Sequence, residues 1–250
     1  FFVRSNLNSP NYKIYKAANV QSLVDSENEI ISHSKDIYIS DHLIFDDYLL
    51  LEIREDGLPG IHKVNLQDMK VSKVLFNDES YYVSLGYNYD SKDLNFYYAY
   101  SSPTQPLTIY SNNLESGHVS QLWQKEIINF DSSIYTTSRK FITARDGMLI
   151  PITITHRKDI DIKNSPILFY GYGSYGLNTE SYFRSSVMPL LNRDFVHVLV
   201  NIRGGGEMGK YWYEQGRMFN KLNTFYDFND AVRAVLDMNI GNKDKVFAQG

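Results

Sequence analysis

Apolar and polar positions follow two different regimes along this chain, and the changeover falls near residue 125. From Lys13 to about Gln124, short runs rich in Val, Ile, Leu, Tyr and Phe recur between turn-forming clusters such as Glu55-Asp56-Gly57, Pro59-Gly60, Asn77-Asp78 and Asn112-Asn113. Gly, Pro, Asn and Asp tolerate the backbone angles of tight turns, so the runs between them read as strands. They cover residues 29–39, 48–54, 61–65, 71–76, 81–87, 94–100, 107–111 and 118–124. Alternation within Leu49-Leu50-Leu51-Glu52-Ile53-Arg54 and Tyr82-Val83-Ser84-Leu85 predicts strands with one wet face. Many short strands at such spacing build a sandwich, a barrel or propeller blades, and pattern alone leaves the three open.

Beyond Lys125 the pattern changes. Residues 126–138 are polar and irregular and read as a linker, which divides the chain into a β-rich part, 1–125, and a second part, 139–250. In the second part, two strands flank the turn Arg145-Asp146-Gly147. Strands at 166–170, 195–201 and 245–249 then alternate with helices near 179–192 and 224–238. Such alternation predicts a mainly parallel sheet with crossover helices. Thr224 and Asp227 have the spacing of a capping box, and Phe225, Phe228, Val232, Val235 and Leu236 form an apolar stripe behind them.

Composition removes several function classes. Apolar residues make up 43% of the chain, enough for a core, and a net charge of -4 argues against a nucleic-acid partner. The chain has no cysteine, which excludes disulfides, thiolate nucleophiles and cysteine metal sites. Its six histidines are scattered without a metal-ligand spacing, so no metal is expected. No apolar run reaches the ~18 residues of a membrane span. The start Phe1-Phe2-Val3-Arg4 has neither an initiator Met nor the form of a signal peptide. A cytoplasmic protein and an incomplete chain are the expectations.

Two loops match the dinucleotide pattern G-x-G-x-x-G: Gly171-Tyr-Gly-Ser-Tyr-Gly176 and Gly204-Gly-Gly-Glu-Met-Gly209. A dinucleotide site also needs a helix N-terminus at the glycines and an acidic residue about 20 positions further on, at the end of the next strand. Neither loop has both, and Tyr172 and Tyr175 would crowd a backbone meant to touch phosphate. An NAD(P)-dependent enzyme is therefore the second reading, and a non-catalytic β-rich binding module is the third. The tyrosines favour a hydrolase, because a fixed hydroxyl donor aimed at a developing oxyanion lowers an acyl-transfer barrier.

Three motifs in this order, Pro166-Ile-Leu-Phe-Tyr-Gly-Tyr-Gly-Ser-Tyr-Gly176, Asn201-Ile-Arg-Gly-Gly-Gly-Glu207 and Asn223-Thr-Phe-Tyr-Asp227, resemble the prolyl oligopeptidase family of serine peptidases, and within it the oligopeptidase B branch. The resemblance implies the C-terminal blades of a β-propeller followed by the N-terminal part of an α/β-hydrolase domain. It also implies cleavage of short peptides after Arg or Lys with no cofactor. Tyr172 matches the tyrosine that forms half of the family's oxyanion hole, and Tyr175 an aromatic beside the first specificity pocket. Glu180 matches one of two acids at the second subsite, or else serves as a carboxylate in the first turn of a helix. The second acid is replaced by Tyr182. Arg203 and Glu207, around Gly204, Gly205 and Gly206, are expected to form an ion pair or turn clamp behind the site, and Asp227 to cap its helix.

No G-x-S-x-G elbow occurs in the chain, and the resemblance puts the nucleophile just past Gly250 and the other triad members beyond it. Residues 1–250 alone are thus expected to be inactive and poorly soluble, or to depend on a separately encoded C-terminal fragment.

Overall fold

The structure, a computed structural model, describes residues 1–19, 22 and 28–250. Its first half, among the described residues, is three antiparallel sheets. The first holds β1 (Phe2–Ser5), β2 (Lys13–Lys16) and β3 (Glu29–Ile31). The second is the meander β4 (Ile37–Ile44), β5 (Tyr48–Glu55), β6 (Leu58–Asn65) and β7 (Val71–Lys73). The third is the meander β8 (Tyr82–Leu85), β9 (Asn95–Ser102), β10 (Gln105–Asn113) and β11 (Val119–Gln124). The 29–39 run splits between two sheets, and the break falls where the Ser34 hydroxyl accepts hydrogen bonds from the Asp36 and Ile37 N–H groups. Asp56 and Gly57 both have positive φ (52° and 78°), which gives the two-residue turn that joins β5 to β6 without splaying the strands.

The sheets stack face to face like propeller blades. One face of β5 sends Leu49, Leu51 and Ile53 against Ile14, Ile39 and Val64, while Leu50 on the other face packs with Val83, Phe96 and Tyr98. The expected wet face of β5 is therefore covered, and even Arg54 is buried. A strand enclosed on both sides carries a near-continuous apolar run, which is what Leu49-Leu50-Leu51 spells.

The second half is one five-stranded sheet in the order β12-β13-β15-β14-β16, made of β12 (Tyr135–Thr143), β13 (Leu149–Arg157), β14 (Ile167–Tyr170), β15 (Val196–Val200) and β16 (Val246–Gln249). β12, β13 and β15 pair antiparallel, and β15, β14 and β16 pair parallel. β12 starts at Tyr135, inside the segment expected to be linker. All five residues of β15 are buried, and the core joins Ile150, Ile152, Phe169, Val198, Trp212 and Val235.

Helix α1 is only Met188–Leu191, far shorter than the helix expected over 179–192, because residues 179–183 spend their polar groups on tertiary partners. The Thr179 N–H donates to Glu207, the Ser181 hydroxyl bonds Ser80, and the Phe183 N–H donates to Ser101. After α2 (Lys210–Glu214), α3 (Leu222–Asp237) lies on the sheet through Phe228, Val232, Val235 and Leu236, whereas Phe225 is exposed.

The expected capping box of α3 does not form, since Lys221 is the N-cap and no side chain caps the helix. Thr224 instead donates to the Arg203 and Gly216 carbonyls, and Asp227 accepts from the Arg203 backbone N–H (3.0 Å), from Nε (2.8 Å) and from Nη2. Arg203 Nη1 reaches Asp146 at 2.6 Å. Burial opposes the Arg203 charge, but the hydrogen bonds to Asp227 and Asp146 outweigh it and hold the guanidinium above its ordinary range. The expected pairing of Arg203 with Glu207 is thus replaced by an Asp146–Arg203–Asp227 clamp. Glu207 is separately buried and accepts from the Thr179 N–H at 2.7 Å. Burial pushes its carboxyl up.

Two measurements check this packing. Asp227→Asn, which leaves Arg203 buried beside a neutral partner, is expected to cost about 3–5 kcal/mol in urea unfolding, and an Arg203→Met/Asp227→Leu pair to cost less. His197 on β15 is buried beside Arg184, and burial first, then that guanidinium, lowers its pKa to about 4. The unfolded chain then takes up a proton near pH 6.5 that the folded chain refuses until about pH 4. Stability present above pH 6.5 is expected to fall by about 3 kcal/mol as pH drops through that window. Chemical unfolding of His197→Phe across the same window should lack most of the slope.

Candidate active site

The carboxyl ends of β14, β15 and β16 meet at one edge of the sheet, where open α/β sheets hold their ligands. β14 is the third strand of its sheet in chain order and β16 the fifth. Both glycine loops lie here: residues 171–176 leave β14, and residues 201–209 leave β15. They pack on each other, with the Gly176 N–H donating to the Gly204 carbonyl at 3.0 Å. Gly204 has φ +98°, and a Cβ there would lie 2.2 Å from the Gly173 carbonyl oxygen, so close loop contact accounts for the glycine.

That packing weakens the dinucleotide alternative. No helix follows Gly176 until Met188. The second loop does run into α2, but this helix has five residues, and the Lys210 N–H at its start donates to Asn11 Oδ1 at 3.0 Å.

Tyr172 sits on the first loop with 39% of its surface exposed, lining a pocket of about 430 Å³ with Gly171, Ile202, Phe225, Phe228 and Gly250. The Gly171 N–H donates to the Gln249 carbonyl at 3.1 Å, which ties the base of the loop to the end of β16. A phenol here can donate a hydrogen bond to an oxygen that develops charge. The pocket lining contains neither serine nor histidine, and the hydroxyl of Thr224, which also lines it, is engaged with the Arg203 and Gly216 carbonyls.

Tyr175 has φ +58° and is 83% exposed. It lines a different pocket of about 240 Å³, shared with Tyr38, Asn178, Lys210 and Tyr213. Tyr172 and Tyr175 therefore face two cavities, one on each side of their loop.

Glu180 is not in a helix, so the first-turn expectation fails. Its carboxylate pairs with Arg54 of β5, whose guanidinium is buried. Burial lowers the Arg54 pKa, opposed by the nearby carboxylates of Glu207 and Glu52. Sequence reasoning missed Arg54, because in a strand that also carries Glu52 a charge at this position reads as part of the expected wet face. Arg184 lies over the rings of Tyr170 and Tyr182, at 4.9 Å and 4.8 Å. A buried hydroxyl cluster of Ser80, Thr153 and Ser181, with separations of 2.7–3.2 Å, joins the two halves close by.

Among the described residues, no group of three or more His, Cys, Asp or Glu is placed to hold a metal ion. No described helix is long and apolar enough to cross a membrane.

Comparison with known proteins agrees with this geometry. Residues 1–125 match the family description "Prolyl oligopeptidase, N-terminal beta-propeller domain", and residues 181–250 match "Prolyl oligopeptidase family". The chain is 33% identical over 99% of its length to dipeptidyl aminopeptidase BI of Pseudoxanthomonas mexicana, and 31% identical over 91% of its length to protease 2 of Moraxella lacunata. It covers 35% and 33% of those proteins, about a third of each. Oligopeptidase B from Trypanosoma brucei, solved in a closed form with covalently bound antipain, superposes with a TM-score of 0.89 at 26% identity, over 99% of this chain and 36% of that one. Oligopeptidase B from Leishmania major superposes equally well, with a TM-score of 0.89 over the same shares. With stacked antiparallel sheets leading into an α/β sheet whose third and fifth strands frame Tyr172, this chain belongs to the prolyl oligopeptidase family.

Proposed function

We propose that these residues serve a serine-type oligopeptidase that hydrolyses short peptides after Arg or Lys, in the cytoplasm and without a cofactor. Residues 1–125 act as the propeller lid, 126–138 as the connection, and 139–250 as the first part of the peptidase domain. The observation that carries this reading is the position of Tyr172, which lines the pocket at the carboxyl ends of the paired third and fifth strands. Attack on a peptide carbonyl builds charge on its oxygen, and the Tyr172 hydroxyl is preorganised to donate to it. Tyr175, which lines the separate cavity shared with Tyr38 and Tyr213, is proposed as the aromatic beside the pocket for the residue ahead of the cleaved bond. Because Glu180 is already paired with Arg54 and the second acid is replaced by Tyr182, neither of these two positions offers a free carboxylate to a second basic residue. One basic residue is therefore the expected requirement, and paired basic residues bring no gain.

The nucleophile is not among these residues, so the polypeptide 1–250 by itself is proposed to be inert. Purified 1–250 is expected to release no fluorophore from an Arg-linked peptide above a heat-killed control. Turnover that Tyr172→Phe abolishes would overturn that expectation. In the full-length peptidase carrying these residues, Tyr172→Phe should lower kcat by about 10²–10³ and leave KM within about threefold, because the lost bond forms only in the transition state. An unchanged kcat would remove Tyr172 from the oxyanion hole.

A further inference from the structure

Lys221 occupies the N-cap of α3, and it suits that position poorly. Helix N-caps favour Ser, Thr, Asp and Asn, whose oxygens satisfy free N–H groups, and the helix dipole opposes a cation there. No acidic residue in the first turn compensates it. A residue kept against its local preference points to a task outside its own helix.

That task is visible at the other end of the side chain. Lys221 Nζ donates to the Gly173 carbonyl at 2.6 Å and to the Ser174 hydroxyl at 2.7 Å. Among the described residues, these are the only side-chain hydrogen bonds to residues 171–176. Both acceptors directly follow Tyr172, on a loop with no secondary structure of its own. The same Gly173 carbonyl oxygen lies so near Gly204 that a Cβ there would meet it, and Gly173 itself has φ +58°. The ammonium lies 5.9 Å from the ring of Phe225, which also lines the Tyr172 pocket. Partial burial lowers the lysine pKa, as expected where the charge is held away from bulk water.

We propose that Lys221 is a positioning residue for the oxyanion tyrosine: its hydrogen bonds to the Gly173 carbonyl and the Ser174 hydroxyl fix the loop segment that directly follows Tyr172 and so set the aim of the Tyr172 hydroxyl. This inference rests on the functional reading of Tyr172 given above. A lysine that merely braces the fold would lower stability and leave the chemical step alone. A positioning lysine acts through Tyr172, so its loss should matter only while Tyr172 is present.

The test is steady-state kinetics on an Arg-linked peptide in the full-length peptidase carrying these residues, with Tyr172→Phe, Lys221→Met, Lys221→Arg and the Tyr172→Phe/Lys221→Met double variant, each checked by thermal unfolding. Lys221→Met is expected to lower kcat about tenfold or more at nearly constant KM, and Lys221→Arg to recover most of it. The double variant should be no slower than Tyr172→Phe alone. Ser174→Ala removes one acceptor and keeps the charge, so it should give a smaller loss of kcat without depending on whether Lys221→Met folds. Independent, multiplying losses in the double variant, or full kcat in a folded Lys221→Met, would overturn the proposal while leaving the role of Tyr172 intact. Full kcat in Tyr172→Phe would remove the functional reading and this inference with it.

Discussion

Arg203 is the group on which the arrangement of the site depends. A guanidinium taken out of water is costly unless every face of it is answered, and here Asp227 takes two of its nitrogens and the backbone N–H while Asp146 takes a third nitrogen. Arg203 on the loop after β15 and its two partners, Asp146 in the turn between β12 and β13 and Asp227 on α3, come from three separate segments. Holding them together sets the second glycine loop, and the first lies directly on it through Gly176 and Gly204. The orientation of Tyr172 is thus inherited from an ion pair that does not touch it.

A second set of polar contacts joins the two halves of the chain. Arg54 reaches Glu180, Asn11 meets the start of α2, and Ser80 sits between Thr153 and Ser181. Arg139 adds a bond to the Asp56 carbonyl. Hydrogen bonds and a charge pair of this kind demand exact placement, so they orient the stacked sheets against the loops more sharply than apolar packing would. They also consume a carboxylate, Glu180, that the sequence offers to a substrate.

Most elements were legible because their signals are local. The turn residues between strands, the hairpin around Arg145-Asp146-Gly147 and the apolar stripe of α3 follow from periods of two and 3.6 residues and from backbone angles few residues tolerate. Legibility failed where a tertiary partner outbid a neighbour. Thr224 and Asp227 have the right spacing for a cap, yet Arg203, 24 residues before Asp227, offers Asp227 a charged and buried partner. Residues 179–187 read as helix, and their polar groups went instead to Glu207, Ser80 and Ser101.

By itself, the sequence determined most strands and turns from residue 29 onward, the two glycine loops, the family, and Tyr172 as the residue to watch, since each is written in contiguous residues; it missed β1 and β2. Only the tertiary structure decided that β5 is covered on both faces, that the glycines serve loop-to-loop contact, and that Lys221 grips the Tyr172 loop. It also decided that Glu180 belongs to Arg54, a partner 126 residues away. The physical reason is the same in each case: burial makes a polar group take whichever partner the fold brings within reach, and sequence distance carries no information about that partner.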